Sequence, residues 1–272
     1  MQHAARAGVD LFRQAARSWL VGLTWLLTLS LSGCATLDQD SPVAASSTGS
    51  TSKLAEVQTE LGIGYLSRGQ LDLAWKRLSR ALELDPHYAT AHFVMGLLQE
   101  RLEQPEKAEA SYRRAVELDP LNSAAQTNLG SFLCRTDRFD EGEWHNLLAL
   151  KNSLYEKPEI AYTNAGLCAE RAGRGDKAEE YFKAALQRNG QIPAALIGMT
   201  QASYDDGRYL NARAFLERYL ATGREDPRAL LLGMRIEKAL GDNAASADYA
   251  RRLKTQFPTS PEAEAAIDAD AS

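Results

Sequence analysis

The sequence predicts an all-α protein, a right-handed superhelix of six stacked helix pairs. Three observations carry that expectation. From Ala55 onward the chain returns to one pattern about every 34 residues, and self-similarity at such a fixed period marks a stacked-repeat architecture. Within each copy, small, large apolar and turn-forming residues recur at fixed places. Two successive copies end in ALELDPHY and AVELDPLN, each a helix followed by a proline that stops it.

Counted from Ala55, residues Leu61, Gly62, Tyr65, Gly69, Ala74, Leu78, Ala81 and Pro86 stand at repeat positions 7, 8, 11, 15, 20, 24, 27 and 32. From Ala89 the same positions hold Met95, Gly96, Gln99, Glu103, Ala108, Tyr112, Ala115 and Pro120; from Ser123 come Leu129, Gly130, Leu133, Asp137, Gly142, Asn146 and Ala149. Three weaker copies begin near Glu159 (Gly166, Ala178, Phe182, Ala185), Pro193 (Gly207, Ala212, Leu216) and Pro227 (Gly241, Pro258). The predicted repeats are 55–88, 89–122, 123–158, 159–192, 193–226 and 227–260, in a body spanning 53–260. A two-residue excess before Glu159 is expected to lengthen a turn. Small residues at 8, 20 and 27 let two helices approach closely, and large ones at 7, 11 and 24 fill the space between them. A turn residue near 15 separates helix A from helix B. One pair alone leaves an apolar face bare, so pairs stack on one another. The pattern resembles the tetratricopeptide repeat.

The chain ahead of the repeats reads as an address. Arg6, Arg13 and Arg17 precede an apolar run from Trp19 to Leu31, too short to span a bilayer but suited to a secretory leader. It ends in Leu31-Ser32-Gly33-Cys34, which resembles the lipobox of bacterial lipoproteins. The resemblance implies cleavage after Gly33, acylation of Cys34 and anchoring through its lipid chains; Ala35 as the next residue implies the outer membrane. The alternative is that Cys34 is an ordinary residue after a conventional cleavage site or an uncleaved anchor. Residues 34–52, rich in Ser, Thr, Ala and Gly, are expected to form a flexible linker, and 261–272 a disordered tail.

Charge narrows the partners. The chain carries −5, and residues 1–33 hold three arginines and one aspartate, so removing that +2 leaves −7. An acidic body without Lys/Arg-rich runs lacks the footprint of a nucleic-acid binder.

Three segments are more particular than the repeat itself: Asn128-Leu129-Gly130-Ser131-Phe132-Leu133-Cys134, Ala161-Tyr162-Thr163-Asn164-Ala165-Gly166-Leu167-Cys168, and Gly207-Arg208-Tyr209 through Tyr219. With the lipobox and the six-repeat length, they resemble the PilF/PilW family of type IV pilus biogenesis lipoproteins. The resemblance implies a pilotin at the periplasmic face of the outer membrane. Such a protein helps the type IV pilus secretin subunit reach that membrane and multimerise, by protein binding and without chemistry. Another envelope-assembly lipoprotein, such as an outer-membrane barrel-assembly partner, is the alternative; an enzyme or enzyme activator acting on the cell wall is a distant third.

Apart from Cys34, the cysteines are Cys134 and Cys168. They stand at positions 12 and 10 of neighbouring A helices, at similar heights, so a disulfide there would staple the third repeat to the fourth. The other reading is two small buried core residues. In such a stack, helix A positions 2, 5, 9, 12 and 13 are expected to line a concave groove. Positions 5, 9 and 12 give Thr59, Ile63 and Leu66, then Phe93, Leu97 and Glu100; in the last two repeats they give Ile197, Gln201 and Tyr204, then Leu231, Arg235 and Lys238. The groove should be more apolar at its N-terminal end, with Ile63, Leu66, Phe93 and Leu97 receiving an apolar segment of the partner, unless superhelical curvature buries some of them.

Other chemical-looking signals are expected to be structural. His3, His87, His92 and His145 lack metal-ligand spacing, and no metal or cofactor is expected. Gly173-Arg174-Gly175-Asp176 reads as an A-to-B turn, not a phosphate loop. The runs ERLEQPEKAEA and ERAGRGDKAEE read as solvated helix faces.

Overall fold

The computed structural model describes residues 43–271; the leader, Cys34 and the first part of the linker lie outside the described residues. Thirteen helices follow one another with no strand among the described residues. The A helices are α1 (Val43–Ser67), α3 (Ala89–Arg101), α5 (Ser123–Arg135), α7 (Pro158–Arg171), α9 (Pro193–Asp205) and α11 (Pro227–Ala239). Their B partners are α2 (Leu71–Leu84), α4 (Pro105–Leu118), α6 (Phe139–Leu148), α8 (Gly175–Arg188), α10 (Tyr209–Leu220) and α12 (Asn243–Gln256). A final helix, α13 (Pro261–Ala271), packs against α11 and α12. The chain is a tetratricopeptide array of six pairs plus one helix.

Each pair closes on a small residue set against a large one. A methyl group built on Gly62 would lie 2.8 Å from Leu78, one on Gly96 2.6 Å from Tyr112, and one on Gly166 2.5 Å from Phe182. Only a glycine lets these helices meet. In the third repeat Asn146 takes the place of the large apolar residue. It is fully buried and its Nδ2 donates to the Gly142 carbonyl at 2.9 Å. In the sixth the contact shifts by one residue: a methyl on Gly233, at position 7, would lie 2.7 Å from Tyr249, while Met234 and Ala250 join one core with Leu230, Leu231 and Leu253.

The A-to-B turns share one backbone conformation. Gly69, Gly173, Gly207 and Gly241 have φ between 70 and 81°, the left-handed region glycine enters freely. Glu103 and Asp137 adopt it too, at 56 and 62°, without that freedom. Between α6 and α7, a 3-10 turn over Ala149–Lys151 and an irregular stretch to Lys157 take up the extra length.

Two expectations about the chain ends are corrected. The linker expected over 34–52 is helical from Val43, because α1 continues upstream of the repeat. The tail expected to be disordered over 261–272 forms α13. Ser260 Oγ accepts from the Ala263 N–H at 3.2 Å, and Glu262 and Glu264 favour the positive end of the helix. Its Ala263 and Ala266 are buried against Leu230, Leu231, Met234 and Leu253. The tail holds a single large apolar residue, Ile267, and the contact with the waiting face is made by alanines.

A third correction concerns the charged runs. They are not merely solvated. Glu109, Glu143 and Glu179, all at position 21, reach Arg138, Arg174 and Arg208, all at position 16 of the next repeat. The RGD arginine is therefore one rung of an inter-repeat ladder. Glu143 is the buried rung: its Oε1 accepts from Tyr181 at 2.7 Å and Lys177 at 3.0 Å, and Arg174 Nη1 lies 3.1 Å from Oε2. Burial works to raise the Glu143 carboxyl, but these hydrogen bonds and the charges of Lys177 and Arg174 carry it below its ordinary value.

Candidate functional site

The inner face is built by the A helices, and the structure divides the residues expected to line it. Position 5 is not open wall. Thr59, Thr127, Thr163, Ile197 and Leu231 are buried there, and Phe93 of the second repeat is half-buried. Ile197 shares a core with Ala229 and Leu232 of α11, and Leu231 one with Ala263 and Ala266 of α13. Consecutive A helices lie so close that position 5 packs forward against the next helix. The buried threonines satisfy themselves: Thr59, Thr127 and Thr163 hydroxyls donate to carbonyls one turn back.

Of the four apolar residues assigned to the groove, Ile63 stands out, 44% exposed. Leu66 is half-buried against the core formed with Val94, Met95 and Leu98 of α3. Phe93 and Leu97 are half-buried against Tyr112, Leu129, Phe132 and Leu133. Curvature thus draws three of the four partly into the stack, each presenting an edge rather than a full side chain.

What the groove positions miss lies elsewhere in the first repeat. Among the described residues, six of the eleven exposed large apolar side chains fall between Leu54 and Trp75: Leu54, Val57, Leu61, Ile63, Leu73 and Trp75. The cause is topological. Position 3 is alanine in the five later repeats (Ala91, Ala125, Ala161, Ala195, Ala229), and every one is completely buried. In the first repeat it is Val57, 43% exposed, with no earlier pair to cover it. Position 7 behaves alike: Leu61 is 40% exposed, Met95 5% and Leu129 0%. Reading this column across repeats would have revealed the bare face.

Toward the C-terminal end the inner face is polar and braced. Arg228 Nη2 meets Glu170 Oε1 at 2.6 Å, joining the sixth repeat to the fourth across the fifth. In the middle, Cys134 and Cys168 are disulfide-bonded, with Cα atoms 5.4 Å apart, and so tie α5 to α7. Glycines make room for that bond: a methyl on Gly142 would lie 2.4 Å from Cys134 Sγ and 2.7 Å from the Gly130 oxygen.

Among the described residues no three His, Cys, Asp or Glu side chains are placed to hold a metal ion. His145 is a core residue. Gln126 Nε2 donates to the Pro120 carbonyl at 3.0 Å, which turns Gln126 Oε1 toward His145 Nδ1 at 2.7 Å and requires that nitrogen to carry the proton. Burial pushes the imidazole down to about 4.

The fold defines the class, a tetratricopeptide-repeat protein. Two family profiles described as tetratricopeptide repeat match the chain, one over residues 59–123, 94–144 and 144–193, the other over 169–236. The chain is 31% identical over 240 residues to the type IV pilus assembly protein PilF of Pseudomonas aeruginosa, covering 88% of this chain and 94% of that protein. The solved structure of P. aeruginosa pilF superposes with a TM-score of 0.77 at 30% identity, over 81% of this chain and 99% of that one. The crystal structure of PilW, a type IV pilus biogenesis factor, gives 0.71 at 29% identity, over 78% and 98%. The chain belongs to the PilF/PilW family of type IV pilus biogenesis TPR proteins.

Proposed function

We propose that the protein is a pilotin, a scaffold that carries no reaction. Anchored at the periplasmic face of the outer membrane through acylated Cys34, it helps the type IV pilus secretin subunit localise there and multimerise. The observation that carries the reading is the exposed apolar side chains of the first repeat: Leu54, Val57 and Leu61, spaced i, i+3 and i+7 along one face of α1, and Ile63 on the groove side. An exposed apolar stripe such as that of Leu54, Val57 and Leu61 is a partner site more often than an accident. Family membership supplies the pilus context, and the lipobox supplies the anchor.

The reading is tested in a deletion strain complemented with variants, by blotting the secretin after mild solubilisation. Cys34→Ala should leave the protein folded and release it from the outer-membrane fraction. Ile63→Asp should leave it anchored and abolish secretin multimers, because Ile63 is exposed and contributes little to the core. Normal multimers with Ile63→Asp remove the groove position from the assignment. Normal multimers in the deletion strain itself remove the pilotin reading.

A further inference from the structure

We propose a second docking surface, independent of the pilotin reading: the inner face of repeats two to six binds an extended acidic segment of a partner protein. Charge carries the inference. Positions 2, 9, 12 and 13 of these five repeats hold six bases, Arg101, Arg135, Arg171, Arg228, Arg235 and Lys238. Against them stand three acids, Glu100, Glu170 and Asp205. Six minus three leaves this face at +3 on a chain that is −5 as a whole. A local field opposite in sign to the rest of the molecule steers an acidic partner to that face and away from the others.

All three acids are engaged. Glu100 accepts the Tyr112 hydroxyl at 2.6 Å and pairs with Arg135, Glu170 pairs with Arg228, and Asp205 Oδ1 accepts from Gln201 Nε2 at 2.8 Å. The bases are in surplus. Arg101 and Arg235 are exposed and pair with no described residue. Register explains the first of them. Arg135 and Arg171, both at position 13, lean back on acids of the preceding repeat, Glu100 and Asp137. Arg101 stands at the same position, but the first repeat offers Leu66 and Gly69 in place of those acids. Arg171 is itself loosely held, 3.4 Å from Asp137 and half exposed.

Geometry then limits the occupant. Arg228 of α11 touches Glu170 of α7 across α9, a contact between helices two apart that a concave surface permits. A trough that two side chains can bridge suits an extended chain better than a helix about 10 Å wide. From α3 to α11 is four helix steps of roughly 8–10 Å each. About ten to twelve extended residues, at roughly 3.3 Å apiece, cover that span.

The experiment uses the whole mature chain from residue 34, with Cys34→Ala, and follows the fluorescence anisotropy of a labelled peptide. The probe has about twelve residues, alternating glutamate and serine, and is compared with the same peptide carrying glutamine for glutamate. Saturable binding is expected with the glutamate peptide, weakening as salt is raised, and about tenfold weaker binding with glutamine. Arg101→Gln combined with Arg235→Gln should weaken glutamate-peptide binding about tenfold, the effect of losing two ion pairs. The unfolding midpoint should stay unchanged, because neither side chain has a partner to lose. Arg188→Gln, at an exposed arginine ending α8, should leave binding as it was. The proposal is overturned if the two peptides bind alike, if neither binds, or if the double variant binds as the parent does. It is equally overturned if Arg188→Gln weakens binding as much, or if phosphatidylglycerol vesicles displace the peptide at equal charge, which would make the face a membrane contact.

Discussion

At the residue scale, glycine and histidine carry the sharpest consequences. Gly142 faces Gly130 and the Cys134 sulfur across a helix contact that no methyl fits. Gly142→Ala should destabilise the protein by about 2–3 kcal/mol, since the atoms it meets include backbone that cannot turn aside. Gly64→Ala is the opposite case. It sits within α1, and a methyl there meets nothing nearer than the Arg68 tip at 3.7 Å. The change should stabilise by about 0.5–1 kcal/mol by restricting the unfolded chain, and urea unfolding of the pair measures both. His145 governs mild acid. Its folded value lies near 4 and its unfolded value near 6.5, so between them the unfolded chain binds a proton that the folded chain refuses. Stability is therefore full above pH 6.5 and falls as the pH drops toward 4. His145→Gln should flatten the unfolding midpoint over that window; an unchanged slope would place the acid sensitivity elsewhere.

At the scale of elements, the question is what joins one pair to the next. The ladder of position-21 glutamates and position-16 arginines is unequal, because burial differs from rung to rung. Glu143 has a side chain only 8% exposed and serves Tyr181, Lys177 and Arg174 together. Removing it strands those partners, and Glu143→Ala should cost about 2–3 kcal/mol. Glu141, more open in its pairs with Arg113 and Arg138, should cost less than about 1 kcal/mol when truncated. The disulfide joins the same two repeats over a separation of 34 residues. Replacing Cys134 and Cys168 by alanine should lose about 3–4 kcal/mol through unfolded-chain entropy, and urea midpoints under oxidising and reducing conditions would show it. These joints also mark how far the sequence could be read. Gly62, Gly96 and Gly166, each set against a large residue, declare the helix pairs because their spacing lies within one repeat. The neighbour of Thr127 or Thr163 lies in another repeat, so their burial follows from superhelical curvature, which no single period encodes. The Glu–Arg ladder was present in register but looked like ordinary surface charge until its partners were in place. The helix α13 was hidden because alanine-rich acidic sequence gives little apolar signal alone.

At the scale of the whole molecule, a stack of repeats has two ends, and this one treats them differently. Each pair buries its face against a neighbour, so an end must be capped or left sticky. At the C-terminal end α13 stands where a seventh A helix would begin and covers Leu230, Leu231, Met234 and Leu253 with Ala263 and Ala266. At the other end α1 presents Leu54, Val57 and Leu61 to whatever comes, in columns filled elsewhere by buried alanines and by Met95 or Leu129. If that asymmetry serves partner binding, the exposed positions contribute to assembly and not to folding. Val57→Lys with Leu61→Lys should then leave the urea midpoint within about 0.5 kcal/mol of the parent, as surface changes do. In cells the same pair should remove secretin multimers. Leu129→Lys, at position 7 but fully buried, should instead unfold the protein and act through its abundance. A double variant that is both fully stable and fully active would show that the bare N-terminal face is not where the partner docks.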